Sequence, residues 1–173
     1  MKHSLSMEVT HVSSYLGRFK KFTLMCLDTS STVFEKITNM DPELEEYNDK
    51  VRKVIKDYDE DLNKDYEHEK DEFKLFIADI TDIAKHRTDE YVIYSIRTFA
   101  STERELKEIK KKKLKKLIKT VDDSRMYAKA DGDYVITIAY ANILNHLSQI
   151  DSKIEQVITK LNKITKLKEE DDD

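Results

Sequence analysis

Apolar residues near the start of the chain recur at spacings of three and four. These spacings place the apolar side chains on one face of a helix. A cluster of poor helix formers follows at Asp28–Thr32, and the pattern leaves open whether the first helix continues through residues 28–42. The apolar series consists of Val9, Val12, Leu16, Phe19 and Cys26.

The clearest helix start in the sequence is Asp41-Pro42, because Asp is a good N-cap and Pro suits the first helical position. The apolar series beyond it again has a helical period. Two interpretations fit the densely charged stretch Asp59–Asp71: a solvated bend between two arms, or an exposed part of one continuous helix. We expect the bend. The series consists of Leu44, Tyr47, Val51, Val54, Tyr58 and Leu62.

A longer series covers roughly fifty residues without Gly or Pro and predicts a helix about 75 Å long. The strongest turn signal of the second half, Asp131-Gly132-Asp133, precedes a last apolar series from Val135 to Ile164. The long series consists of Phe73, Phe76, Ile80, Ile83, Arg87, Tyr91, Tyr94, Ile96, Phe99, Leu106, Ile109, Lys113, Leu117 and Val121.

These patterns predict an all-α fold, an elongated antiparallel three-helix coiled coil. We expect a single domain at residues 1–168 and an acidic disordered tail at residues 169–173. A narrow bundle of this kind leaves part of its apolar stripes exposed. A homodimer would cover them.

Composition agrees with long helices and excludes several classes. Charged residues make up 38% and hydrophobic residues 39% of the chain, with two Gly and one Pro. So few turn residues argue against sheet sandwiches, barrels and nucleotide-binding α/β folds. The single cysteine, Cys26, indicates a reducing compartment and a buried, unreactive thiol. Because there is no apolar run of about 18 residues and no secretory signal in Met1–Glu8, we expect a cytoplasmic protein.

The sharpest feature is a cluster of basic residues within residues 104–119, a segment whose acids are Glu105 and Glu108. Apolar residues keep a helical spacing inside it, so the segment predicts a helix with a buried stripe and a cationic face. Lysines near an anionic bilayer contribute about 1 kcal/mol each. The predicted lipid-binding residues are Arg104, Lys107, Lys110, Lys111, Lys112, Lys113, Lys115, Lys116 and Lys119.

Two other interpretations of this cluster remain. The lysines could form a solvated surface, although four consecutive lysines repel one another along a helix. Nucleic acid would be attracted by the same charges. We expect no nucleic-acid partner, because no aromatic residue lies between the lysines to stack on bases and no zinc-finger or helix-turn-helix pattern is present.

The order of features resembles a BAR domain, a crescent-shaped dimer of three-helix coiled coils that binds curved membranes. The likeness lies in Ser95–Phe99, in Glu105–Leu117 and in Asp123–Lys129 with Tyr127. Within that superfamily, Asp49-Lys50, Arg87 and Ile109–Lys113 are similar to the ciliary BAR-domain proteins that partner Chibby.

The resemblance covers roughly residues 45 to 165, while residues 1–42 match poorly and the family's proline before Phe99 is absent. It implies a homodimer whose concave face bears the lysines as lipid-phosphate contacts. It also implies a coiled-coil partner such as a Chibby-like protein and a location at the ciliary base.

Catalytic and metal-binding patterns are weak. His68 with Asp65, Glu69 and Glu72, and His86 with Asp82, have spacings that fit one helical face, but their charged surroundings disfavour a metal site. We expect no enzyme activity and no cofactor. An amphipathic membrane anchor at Tyr15–Leu27 is less favoured than an ordinary coiled-coil arm.

The predicted function is that of a cytoplasmic scaffold, peripheral on membranes, that senses or induces curvature by contacting anionic lipid headgroups through its lysine-rich helix. The alternative is a helical coiled-coil adaptor that binds protein partners and no lipid.

Overall fold

The computed structural model describes the backbone of residues 4–171 and the side chains of residues 4–166. All secondary structure in these residues is helical, which confirms the predicted all-α class. The side chains of the predicted acidic tail, 169–173, lie outside the described residues. The elements are α1 (Leu5–Thr38), α2 (Tyr47–Lys85), α3 (Glu90–Ile109), a π-helical segment (Lys110–Leu114), α4 (Lys115–Ala130) and α5 (Tyr134–Asp171).

Residues 4–171 form four helical rods, so the prediction of three helices is wrong. Helix α3, the π segment and α4 follow one another without a break, and we call them together the α3–α4 rod. The polar cluster at Asp28–Thr32 does not end α1. Ser30 is buried there, and its hydroxyl donates to the Cys26 carbonyl at 2.8 Å and hydrogen-bonds to the Tyr58 hydroxyl at 2.7 Å. Each polar group of Ser30 is therefore satisfied inside the helix.

Helix α2 starts later than predicted and runs straight through the expected bend. Asp41 does accept a hydrogen bond from the Glu43 amide at 3.0 Å, but residues 39–46 form turns and the helix begins at Tyr47. The charged stretch Asp59–Asp71 lies within α2, so the continuous-helix interpretation is the correct one.

The predicted fifty-residue helix is wrong, because the chain turns at residues 86–89 without Gly or Pro. Asp89 caps α3 by accepting a hydrogen bond from the Tyr91 amide at 2.9 Å. Tyr94, which belongs to the predicted buried series, is 90% exposed. The later turn is confirmed. Gly132 has a φ of 75°, a conformation that favours glycine, and the Asp133 carboxylate accepts from the Ile136 amide at the start of α5.

Helix α5 packs against each of the other described helices. It runs antiparallel to α1 and to the α3–α4 rod and parallel to α2. Helix α1 packs against α2 and α3, whereas α2 lies diagonally across the bundle from the α3–α4 rod. Beyond the π segment, α4 rests on α5 and makes few contacts with α1 or α2.

The core is rich in aromatic residues where α1 meets α2. The Tyr15 and Phe76 ring centroids are 4.6 Å apart, and Phe19 lies 5.7 Å from Phe73. The apolar side of Tyr15–Leu27 is thus used within the bundle, as the coiled-coil-arm interpretation expects. None of the described helices has a stretch apolar enough and long enough to cross a bilayer.

Buried polar pairs set the relative heights of the helices. His146 of α5, 2% exposed, lies 2.7 Å from the Asp59 carboxylate of α2. The Glu103 carboxylate of α3 accepts from the Asn162 amide at 2.8 Å and from the Thr165 hydroxyl at 2.9 Å. A buried polar group that loses its partner costs about 1–3 kcal/mol. These contacts therefore disfavour any sliding of α2 or α3 along α5.

Glu8 makes the stability of the bundle depend on pH. Its buried carboxyl lies beside Asp82 and Asp79 of α2, where His11 pairs with Asp79 and His86 follows the helix. Burial first, and then the neighbouring Asp82 and Asp79, raise the pKa of Glu8 from 4.5 to about 7. A raised pKa in the folded state stabilises the fold fully below pH 4.5, and this contribution is lost as pH rises through about 7.

We expect the Glu8→Gln variant to lack this pH dependence, since its side chain stays neutral. Between about pH 5 and pH 8 the parent protein should lose a few degrees of thermal-unfolding midpoint relative to the variant. Circular dichroism melts across this range measure the difference, with the exposed carboxyl change Glu60→Gln as control. Parallel pH profiles for the parent and Glu8→Gln would contradict the role of Glu8.

Candidate functional site

The predicted lipid-binding residues all lie on the α3–α4 rod, around its π segment. The buried stripe of the rod passes through Leu106, Ile109, Leu114 and Val121. Ile109 and Leu114 are five residues apart, which in an α-helix would turn them about 140° away from each other. The π turn, marked by the hydrogen bond from the Lys115 amide to the Lys110 carbonyl, returns both side chains to the core.

The lysine run therefore contains one residue more than an α-helical stripe can hold. Lys113, which the sequence pattern places in the buried series, is exposed, and Leu114 is fully buried instead. The five-residue spacing of Ile109 and Leu114 in the sequence could have shown that Leu114, and not Lys113, is buried.

Lys110 stabilises the fold, so we exclude it from the candidate site. Its ammonium lies 2.5 Å from the Glu155 carboxylate and 3.5 Å from Asp151, both on α5, and its side chain is only 22% exposed. The hydrogen bond to Glu155, against a smaller opposing effect of burial, raises the pKa of Lys110. Lys107 already forms an ion pair, since its ammonium lies 3.2 Å from the carboxylate of the buried Glu103.

Two further residues point towards α1. Arg104 and Lys113 line a groove of about 400 Å³ between α1 and α3, together with Leu24 and Lys20. Lys20 in turn pairs with Glu105 at 2.6 Å. This groove mixes both signs of charge, so it offers no concentrated positive field.

Five lysines remain together on the outer side of the rod, and we call them the lysine face. Spacings of four place them on neighbouring rows of one helical surface. Two of them form exposed pairs within the rod, Lys112 with Glu108 at 2.9 Å and Lys119 with Asp123 at 3.3 Å. Such exposed pairs are worth about 0–1 kcal/mol and open easily. The lysine face consists of Lys111, Lys112, Lys115, Lys116 and Lys119, all exposed.

An acidic segment on α2 mirrors the basic one. Residues 57–72 contain nine acidic and two basic residues, a formal charge of −7, whereas residues 104–119 contain nine basic and two acidic residues, a formal charge of +7. Both segments lie beside the same part of α1, since Tyr15 donates to Glu69 of α2 and Lys20 pairs with Glu105 of α3. Sequence reasoning noted the charge of the acidic stretch but could not place it opposite the lysines.

The candidate metal ligands have other partners or lie apart. Glu69 accepts the Tyr15 hydroxyl at 3.1 Å, and Glu72 pairs with Arg18. Within residues 4–166, no group of three or more His, Cys, Asp and Glu side chains is arranged to hold a metal ion. Cys26 is buried, and this burial raises the pKa of its thiol to about 12. A thiol protonated at neutral pH is a poor nucleophile.

Comparison of the chain with protein-family models, with curated proteins and with solved structures finds no match in any of the three.

The π segment predicts an unusual tolerance to deletion. Removing Lys113 should bring Ile109 and Leu114 to a spacing of four and convert the π turn to α-helix with little loss of stability. Removing Lys119 should instead rotate Val121 and Ala128 out of the core by about 100°. Urea unfolding should show a loss of about 2 kcal/mol or more for the Lys119 deletion. Equal losses for the two deletions would contradict the assignment of the extra residue.

Lys110 is predicted to support the fold. The Lys110→Gln variant should lose about 1 kcal/mol of unfolding free energy, because it breaks two contacts to α5. Lys111→Gln, one residue away and exposed, is the matched control and should change little. Urea denaturation at moderate ionic strength measures both. A stability loss as large for Lys111→Gln would argue against this role.

Proposed function

We propose that the protein binds anionic membrane surfaces peripherally through its lysine face. The observation that carries the proposal is the placement of five exposed lysines on the π segment and α4, the part of the rod whose main neighbour is α5. Helix α4 therefore has an open outer side, and no described neighbour shields the lysines from a flat surface.

The electrostatic attraction is sufficient for reversible binding. Each lysine close to an anionic bilayer contributes about 1 kcal/mol. Five such contacts amount to about 5 kcal/mol, which corresponds to a dissociation constant in the sub-millimolar range. Binding of this strength depends on ionic strength and on the fraction of anionic lipid.

The acidic segment on α2 gives the bound protein an orientation. The chain has a formal net charge of −4 and would be repelled by an anionic surface if its charges were evenly mixed. Neighbouring helix axes lie about 8–10 Å apart, so the diagonal from α4 to α2 is about 11–14 Å. This distance exceeds the Debye length of about 8 Å at physiological ionic strength. With the lysine face on the membrane, the acidic segment is largely screened from it.

Curvature sensing and the BAR assignment remain predictions. The bundle buries an apolar core within one chain, so flat binding through one lysine face does not require the crescent-shaped homodimer. A dimer would present two lysine faces at a fixed angle, which is the property that curvature sensing needs. The Chibby-like partner, the ciliary location and the alternative of a lipid-free adaptor likewise remain predictions.

Charge reversal tests the proposal. In the variant Lys111→Glu, Lys112→Glu, Lys115→Glu and Lys116→Glu, sedimentation with vesicles that contain phosphatidylserine should fall to the level seen with neutral vesicles. The matched control reverses four exposed lysines of α2, Lys50, Lys53, Lys56 and Lys64, and should sediment as the parent protein does.

The parent protein should also dissociate from the vesicles when salt is raised several-fold, since screening weakens every lysine contact. Equal loss of binding in both variants would show that overall charge matters more than the lysine face. Failure of the parent protein to sediment with anionic vesicles at low salt would refute the proposal.

A further inference from the structure

A second group of lysines surrounds a groove on another side of the bundle. The groove has a volume of about 480 Å³ and lies between the C-terminal parts of α2 and α5. Its floor is formed by the half-buried Ala84 of α2, which lies over the fully buried Ile80, and its rim bears four lysines from both helices. These are Lys85, Lys160, Lys163 and Lys166.

No acidic residue lines this groove among the described side chains. Thr81 and Asn162, its remaining polar residues, are engaged elsewhere: Thr81 donates to the Ile77 carbonyl at 2.8 Å, and Asn162 donates to Glu103 at 2.8 Å. The lysines of α5 follow one another at spacings of three, which places like charges side by side at a cost in stability. The groove thus combines an apolar floor with a rim of four lysines that form no ion pair with the described side chains of residues 4–166.

The helix macrodipole accounts for only part of this rim. Lysines in the last turn of a helix interact favourably with its C-terminal end, and Lys85 is in that position on α2. The effect falls off within one turn. Lys160 and Lys163 lie two to three turns before the end of α5 at Asp171, so the macrodipole does not account for them.

We infer that this groove binds an anionic amphiphile, a single-chain molecule with a phosphate or carboxylate head. The four lysines would surround the head, and the apolar chain would lie along Ala84 above Ile80. The volume falls within the range of about 300–1,000 Å³ that is usual for small-molecule sites. A charged head that contacts several lysines gains charge-assisted hydrogen bonds, which are shorter and stronger than those between neutral groups. The inference is independent of the proposed membrane function, because the lysine face does not line the groove.

Titration calorimetry with dodecyl phosphate below its micellar concentration tests the site. The parent protein should bind the probe, and the Lys160→Gln/Lys163→Gln variant should bind it about ten-fold more weakly or worse. The matched control, Lys53→Gln/Lys56→Gln, removes the same charge from two exposed lysines of α2 at the same spacing of three, outside the groove and the lysine face, and should bind as the parent does. Vesicle sedimentation of the groove variant should be unchanged.

Two further probes separate the head from the chain. Inorganic phosphate and the neutral dodecyl maltoside should each bind far more weakly than dodecyl phosphate. Phosphate binding as tight as that of dodecyl phosphate would overturn the assignment of an amphiphile, and equally tight binding of the maltoside would overturn the role of the lysines. Absence of binding to the parent protein, or equal weakening in both lysine variants, would overturn the site itself.

Discussion

The packing of α5 against every other described helix is the constraint on which the rest of the structure depends. It lets α4 remain attached to the bundle through a single neighbour, so most of the α4 surface stays open. Specific contacts reinforce the interface between the rod and α5: the Lys110 ammonium lies between Asp151 and Glu155, and the Glu103 carboxylate accepts hydrogen bonds from Asn162 and Thr165. The lysine face is exposed because α1 packs against the rod mainly along α3, which leaves α5 as the main neighbour of α4.

Polar contacts inside the bundle also place the two charged segments at the same height. The pair of His146 and Asp59 links α5 to α2, and Glu103 links α5 to α3. Apolar stripes alone allow helices to slide by a turn at little cost, whereas unpaired buried polar groups do not. The transverse separation of positive and negative charge thus depends on a few hydrogen bonds near the bundle axis.

Periodicity predicted the helical class and the positions of most buried residues, because spacings of three and four report directly on one helical face. The Asp131-Gly132-Asp133 signal predicted the last turn. Periodicity did not predict where helices begin and end, because capping and side-chain hydrogen bonds determine those positions. Asp89 ends a long apolar series by capping α3, and Ser30 satisfies its hydroxyl inside α1, where its low helix propensity suggested a break. The cationic cluster was visible in the sequence. Its division into structural and exposed lysines was not, because partners such as Glu155 are forty-five residues away along the chain.

The separation of positive and negative charge onto two sides of the bundle affects how the protein binds to charged matrices. A net charge of −4 and an isoelectric point near 5.8 describe no single side of the molecule. An anionic resin can bind the lysine face, and a cationic resin can bind the acidic segment on the opposite side of the bundle. Retention on an ion exchanger therefore reports which side faces the matrix, and not the average of the two.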